Sequence, residues 1–163
     1  MVMTYNLQID SLTVIIGYLI AMNKFESESR MVSRYKGCLV GGAVGDALGA
    51  PAEFLPADRI SSEFGIVNEM VGGGFFKWRP GQFTDDTDQT LAIVDSLIEN
   101  GRYIPQDIAQ RFLQWYQNDP VDIGGTTRLS LSQLETGVNY KDSGKLALDM
   151  GKGPANGSLM RTH

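Results

Sequence analysis

"FTDDTDQTLAIVDSLIENG", Phe83 to Gly101, decides the fold class. Leu91, Val94 and Ile98 recur at helical spacing, helped by Ile93 and Leu97, and Asn100-Gly101 supplies a stop. At the other end, Thr84 or Asp85 suits an N-cap and Asp88 a first-turn acid, because free NH groups and the positive end of the macrodipole favour oxygen and negative charge. One or two such groups satisfy a cap. A third carboxylate within four residues adds repulsion, so the stretch reads equally as a place for a positive ion. From these residues alone both readings stand.

Outward from that helix the pattern stays helical. "YKGCLVGGAVGDALG", Tyr35 to Gly49, sets Gly37, Gly41, Gly45 and Gly49 on one stripe and Val40, Val44 and Leu48 on a second. An interior glycine costs roughly 1 kcal/mol against alanine, so the stripe predicts close approach by another helix or a ligand. Gly49 and Pro51 end this helix, and Cys38 within it is expected to be a small buried filler. Pro56 to Pro80, with Gly72, Gly73 and Gly74, reads as a long loop, a length usually reserved for function or motion. Pro105 opens a third helix with Ile108, Phe112 and Trp115 or Tyr116 inward, closed by Asn118-Asp119-Pro120. A fourth runs from about Thr127 to Glu135 and stops at Gly137, and a short one is possible from Ser143. No segment alternates as a strand does, and the class is all-α.

The first thirty residues differ in character. Leu12 to Met22 is apolar but too short to span a bilayer, and it lacks the basic region and cleavage site of a secretory signal. Residues 1–30 are therefore read as an extension, its end a polar linker from Asn23 to Arg30, and residues 31–163 as the main domain, with Met22 and Met31 as alternative starts. The expected location is cytoplasmic, with no membrane span.

Composition narrows the chemistry. At 163 residues, with 42% hydrophobic and 20% charged, the chain can build one core. The net charge of −5 leaves no evident nucleic-acid-binding surface. One cysteine excludes an internal disulfide and a thiolate zinc cluster, and the only histidine, His163, is the last residue, where a Ser–His–Asp triad is improbable. "DTDQT" matches the aspartate-nucleophile phosphatase string but follows "RPGQF" rather than a buried strand. The EF-hand glycine and distant glutamate are missing, as are the glycine-rich nucleotide fingerprints. What remains is a hard-cation site, since carboxylate and hydroxyl oxygens suit Mg2+, Ca2+ or Mn2+.

Four stretches, "GCLVGGAVGDALGAPAEF", "FTDDTDQTLAIVDSLIENG", "DIGGTTRLSLSQLETG" and "NGSLMR", stand in the order found in ADP-ribosylglycohydrolases of the DraG-like type. The chain resembles that family from about Tyr35 to Arg161. The resemblance implies an all-helical domain, a binuclear Mg2+ or Mn2+ centre, and hydrolysis of the glycosidic bond joining ADP-ribose to a modified protein or other conjugate. It makes Thr84, Asp85 and Asp86 metal ligands and Glu53 the acid beside the metals that takes a proton from the attacking water. It assigns Asn156, Gly157 and Ser158 to a loop against the ADP-ribose phosphates and ribose, and Asp122, Ile123 and Gly124 to another lining stretch. Asp46 is expected to make a structural hydrogen bond, Asp88 to cap its helix, and Arg161 to pair with an acid or a phosphate. Glycoside chemistry then supplies the mechanism, an oxocarbenium-like anomeric carbon met by a positioned water.

The family's domain is about twice as long, and its later half carries a second acidic motif, D-x-D-[ST], absent from this sequence. The expectation is thus a truncated domain, its first half, with apolar faces that favour self-association or a complementary C-terminal chain. The alternative function is a non-catalytic remnant that binds ADP-ribose or a partner.

Overall fold

The computed structural model describes residues 30–153 and 155–161. The predicted extension, with its apolar stretch Leu12 to Met22, lies outside the described residues except for Arg30, as does His163. Among the described residues the protein is helical without strands, and one isolated β-bridge pairs Gly73 with Trp78. No single helix among them is long and apolar enough to cross a membrane. The chain divides into two compact units, Met1–Phe83 and Thr84–His163.

In the first unit α1 (Arg30–Gly49) runs into a 3-10 turn, Ala50–Ala52, with Pro at the start of the turn. Its buried line is Ala43, Ala47 and Ala50, one helical face four and three residues apart. Neither expected stripe is the buried one. Val40 and Leu48 are half-buried and Val44 is exposed. The glycine stripe is exposed too, with no heavy atom within 4 Å of where a Cβ would stand at Gly37, Gly41, Gly45 or Gly49. Cys38 is likewise exposed rather than a buried filler. Its position, five residues before Ala43, turns it about 140° away from the alanine line.

The predicted loop Pro56 to Pro80 contains a helix, α2 (Ala57–Glu63), with Pro56 in the N-cap position. Seven residues carry no apolar stripe to announce it, and only Ile60 is even half-buried. The glycines beyond it have a steric cause. A Cβ on Gly74 would lie 2.5 Å from the Pro51 carbonyl oxygen, and one on Gly72 would lie 2.6 Å from the Trp78 oxygen. Both have positive φ (70° and 66°), so only glycine fits either way. Arg79-Pro80-Gly81-Gln82 then forms a turn closed by Gln82 N–H to Arg79 C=O at 3.0 Å, with Gly81 at φ 76°, the arrangement Pro-Gly favours.

In the second unit, α3 (Asp85–Asn100) is followed by α4 (Pro105–Gln117), α5 (Gly125–Glu135), α6 (Tyr140–Asp149) and a 3-10 turn, Asn156–Ser158. Both ends of α3 follow the sequence. Thr84 is the N-cap, its hydroxyl accepting from Asp86 N–H, and Gly101 closes the helix at φ 63°. Arg111 on α4 reaches Asp107 at 2.7 Å and Glu99 of α3 at 2.6 Å, and these two carboxylates raise its pKa, Glu99 the more strongly. α5 and α6 pack together across the turn at Gly137 (φ 93°), and Asn139 caps α6 by accepting from Lys141 N–H. The core residues are Ile108, Leu113, Ile123, Leu131 and Ala147.

One face was expected wrongly. The buried residues of α3 are Thr87, Gln89, Thr90 and Ser96, while Leu91 and Val94 are half-buried and Ile98 is 55% exposed. Polar contacts from Asp88 and Gln89 to the rest of this unit, described below, fix the rotation of the helix against its apolar stripe.

Candidate functional site

The acidic stretch folds as a capped helix start. Thr84 is 7% exposed, and its Oγ1 accepts from Asp86 N–H at 3.3 Å. Asp85 and Asp86 sit half-buried in the first turn, where the N-terminal NH groups favour their charge. Asp85 Oδ2 accepts from the side-chain amide of Gln89, one turn on, at 3.4 Å. Asp88 leaves this group. Its Oδ2 accepts the Trp115 indole N–H at 3.0 Å, fastening α3 to α4, so the predicted capping acid is also a tertiary anchor.

The second predicted element folds against the same unit. Asn156–Ser158 forms a 3-10 turn whose Gly157 stands where a Cβ would lie 2.9 Å from Thr127 Oγ1 of α5. Leu159 and Met160 N–H both bond to Asn156 C=O, at 2.7 and 3.1 Å, which holds the following residues to the turn. Arg161 then crosses back to α3, donating from Nη1 to Gln89 Oε1 with its guanidinium 4.9 Å from the centre of the Phe112 ring. Burial lowers the Arg161 pKa from its ordinary value, and the Asp85 carboxylate opposes that shift. Of the predicted Asp122–Gly124 stretch, Ile123 is buried in the core and Gly124 is the N-cap residue of α5. A cavity of about 470 Å³ has Thr127, Gly157, Ser158 and Arg161 in its lining, while Asp122, Ile123 and Gly124 do not line it.

Glu53 belongs to the first unit. It follows the buried Ala50-Pro51 pair, donates its backbone N–H to Ala50 C=O at 3.4 Å, and is half-buried. Phe54 beside it adopts φ 62°, a conformation that costs an L-residue roughly 1–2 kcal/mol. Its ring meets Phe75 and Phe76 edge-on at centroid distances of 5.7 and 6.0 Å. Glu53 is therefore held between a buried turn and a residue pinned by aromatic packing.

The donors at the start of α3 match a hard cation in kind: two carboxylates and a hydroxyl, all oxygen. They do not match it in number. Among the described residues, no group of three or more His, Cys, Asp or Glu side chains comes together to hold a metal ion. Thr84, Asp85 and Asp86 offer three donor groups, fewer than the six or more oxygens such an ion normally takes.

A family profile for ADP-ribosylglycohydrolases matches residues 27–163. The chain belongs to the ADP-ribosylglycohydrolase family. It is 39% identical over 129 residues to the ADP-ribosyl-[dinitrogen reductase] glycohydrolase of Rhodospirillum rubrum, covering 78% of this chain and 42% of that protein. It is 41% identical over 121 residues to the ADP-ribosylarginine hydrolase Tri1 of Serratia proteamaculans (strain 568), covering 69% and 32%. A solved structure described as an ADP-ribosylglycohydrolase-related protein complex superposes with a TM-score of 0.60 at 39% identity, over 77% of this chain and 39% of that one. The chain thus spans about two fifths of the first relative's length and a third of the second's.

Within this family member the sequence reading missed the partners that hold the predicted residues. Gln89 was given no role by the sequence, and it is 0% exposed. Trp115 was expected to face inward only as an alternative to Tyr116, and without its bond to Asp88. Both contacts join positions far apart in the chain, 72 residues for Arg161–Gln89 and 27 for Trp115–Asp88, and no local periodicity carries such information.

Proposed function

We propose that this chain supplies the first part of a cation-dependent ADP-ribosyl hydrolase site, acting on the glycosidic bond between ADP-ribose and a modified protein. The observation that carries the reading is the common anchoring of the Thr84-Asp85-Asp86 helix start and the Asn156–Ser158 turn through Gln89 and Arg161. The names of the relatives, hydrolases of ADP-ribosyl groups on dinitrogen reductase and on arginine, support the bond type.

In this reading Thr84, Asp85 and Asp86 hold Mg2+ or Mn2+, one or two ions, which contribute Lewis acidity and charge neutralisation when bound. The Asn156–Ser158 turn and the loop Asp122–Gly124 orient the ADP-ribose moiety. Glu53 takes the proton of the attacking water while positive charge develops at the anomeric carbon. The remaining oxygen ligands come from a complementary segment, in the same polypeptide or another chain.

A second reading rests on the short donor set: a non-catalytic module that binds ADP-ribose. Release of ADP-ribose from an ADP-ribosylated protein separates the two, assayed with Mg2+ against EDTA and with Asp85→Ala/Asp86→Ala as control. Mg2+-dependent release that the double variant loses supports the hydrolase. No turnover by folded protein at high enzyme concentration, with the complementary segment supplied, sinks it, and absence of ADP-ribose binding in calorimetry would then remove the second reading.

A further inference from the structure

We propose that Gln89 is a positioning residue that couples the Asp85 carboxylate to the Asn156–Ser158 turn by way of Arg161. A divalent cation at the start of α3 and ADP-ribose at the turn then strengthen each other's binding. The proposal rests on the functional reading above and adds to it a residue and a coupling that the predicted site did not contain.

Three observations lead there. Gln89 is 0% exposed, among the largest fully buried side chains, so its amide must find partners inside the protein. It finds two of opposite kind: Nε2 donates to Asp85 Oδ2 at 3.4 Å, and Oε1 accepts from Arg161 Nη1. A carboxylate only accepts and a guanidinium only donates, so the chemistry fixes which way the amide faces. The third observation is the stiffness of the far end. Arg161 follows two residues whose N–H groups bond to Asn156 C=O, and its guanidinium lies over the Phe112 ring.

Few side chains can make this link. Glutamate cannot donate to Asp85 when ionised, lysine cannot accept from Arg161, and asparagine is one methylene short of the same reach. A shift of the turn moves Arg161, and Arg161 cannot move without either dragging the Gln89 amide or leaving buried polar atoms unpaired. The amide in turn sets the direction of Asp85. Groups linked in this way by a buried polar chain share their two arrangements, and binding at one end biases the other by the same factor in both directions.

The test is calorimetric, with Mn2+ and ADP-ribose each titrated alone and in the presence of the other. For the wild-type chain the expected result is at least about fivefold tighter ADP-ribose binding with Mn2+ present, and the same factor for Mn2+ with ADP-ribose present. In Gln89→Met/Arg161→Met, which replaces both partners and so leaves neither buried and unpaired, the factor falls to about one. Gln89→Asn, polar but too short, gives the same loss and serves if the double variant fails to fold. A folded double variant that keeps the wild-type factor overturns the proposal, since direct chelation between cation and diphosphate would survive the substitutions. A wild-type factor of one also overturns it. If the wild-type chain binds neither ligand, the functional reading fails and the coupling falls with it.

Discussion

Asp88 shows how one side chain leaves a cluster. It stands among three carboxylates in four residues, yet its Oδ2 accepts from the Trp115 indole at 3.0 Å, and that bond ties α4 to the start of α3. Trp115→Phe removes the donor and some packing. Hydrogen bonds to charged groups contribute about 1.5–3 kcal/mol, so urea denaturation should show a loss of about 1–2 kcal/mol, the partly exposed carboxylate recovering some of it from water. Gly74 tests a different cause. Any Cβ there meets the Pro51 backbone at 2.5 Å with φ already at 70°, so Gly74→Ala should cost about 2 kcal/mol or more and displace the turn that precedes Glu53. An unchanged melting temperature would disprove that packing. At this scale the sequence disclosed the residues whose chemistry is local, Thr84, Asp85 and Asp86, because a cap and its acids lie side by side in the chain. It hid the bond between Gln89 and Arg161, which spans 72 positions and replaces the acid or phosphate expected for Arg161.

Helix α3 was legible at its ends and misleading on its face. Caps are set by adjacent residues, and Thr84 and Gly101 take the expected positions. Thr84→Ala should lower stability by about 1 kcal/mol, and Thr84→Ser, which keeps the accepting oxygen, by only a few tenths. Thermal unfolding in EDTA isolates this cap effect from any cation. The buried face was not legible, because hydrophobic periodicity ranks faces by apolar content, whereas Asp88 and Gln89 hold this helix by polar contacts. α2 was missed for a related reason, since a seven-residue exposed helix has no buried stripe to read. The Arg111 ion pairs, one across to Glu99 of α3 and one within α4 to Asp107, look prominent, but the Glu99 side chain is 66% exposed and that of Asp107 33%. Arg111→Met should therefore cost under about 1 kcal/mol, with a difference that shrinks as salt rises.

For the molecule as a whole, the all-α class and the family were both within reach of the sequence, through glycine, acid and cap positions in a fixed order. The burial pattern was not. The glycine stripe of α1 was expected to admit a close neighbour, and among the described residues the helix buries alanines instead. Phe54 and Phe75 are 69% and 73% exposed and lie in edge contact, an aromatic patch unusual for a solvated surface. Sedimentation velocity should show concentration-dependent association that Phe54→Ser/Phe75→Ser weakens, and a single species at every concentration would refute it.

The account turns on the start of α3 as a cation-binding element, and Mn2+ titration followed by electron paramagnetic resonance tests it most directly. The wild-type chain should bind Mn2+, and Asp85→Ala/Asp86→Ala, shown folded by circular dichroism, should bind it at least about tenfold more weakly, because charge-paired oxygen ligands dominate affinity for such ions. Equal Mn2+ affinity in the two proteins would contradict the assignment of Thr84, Asp85 and Asp86 as ligands.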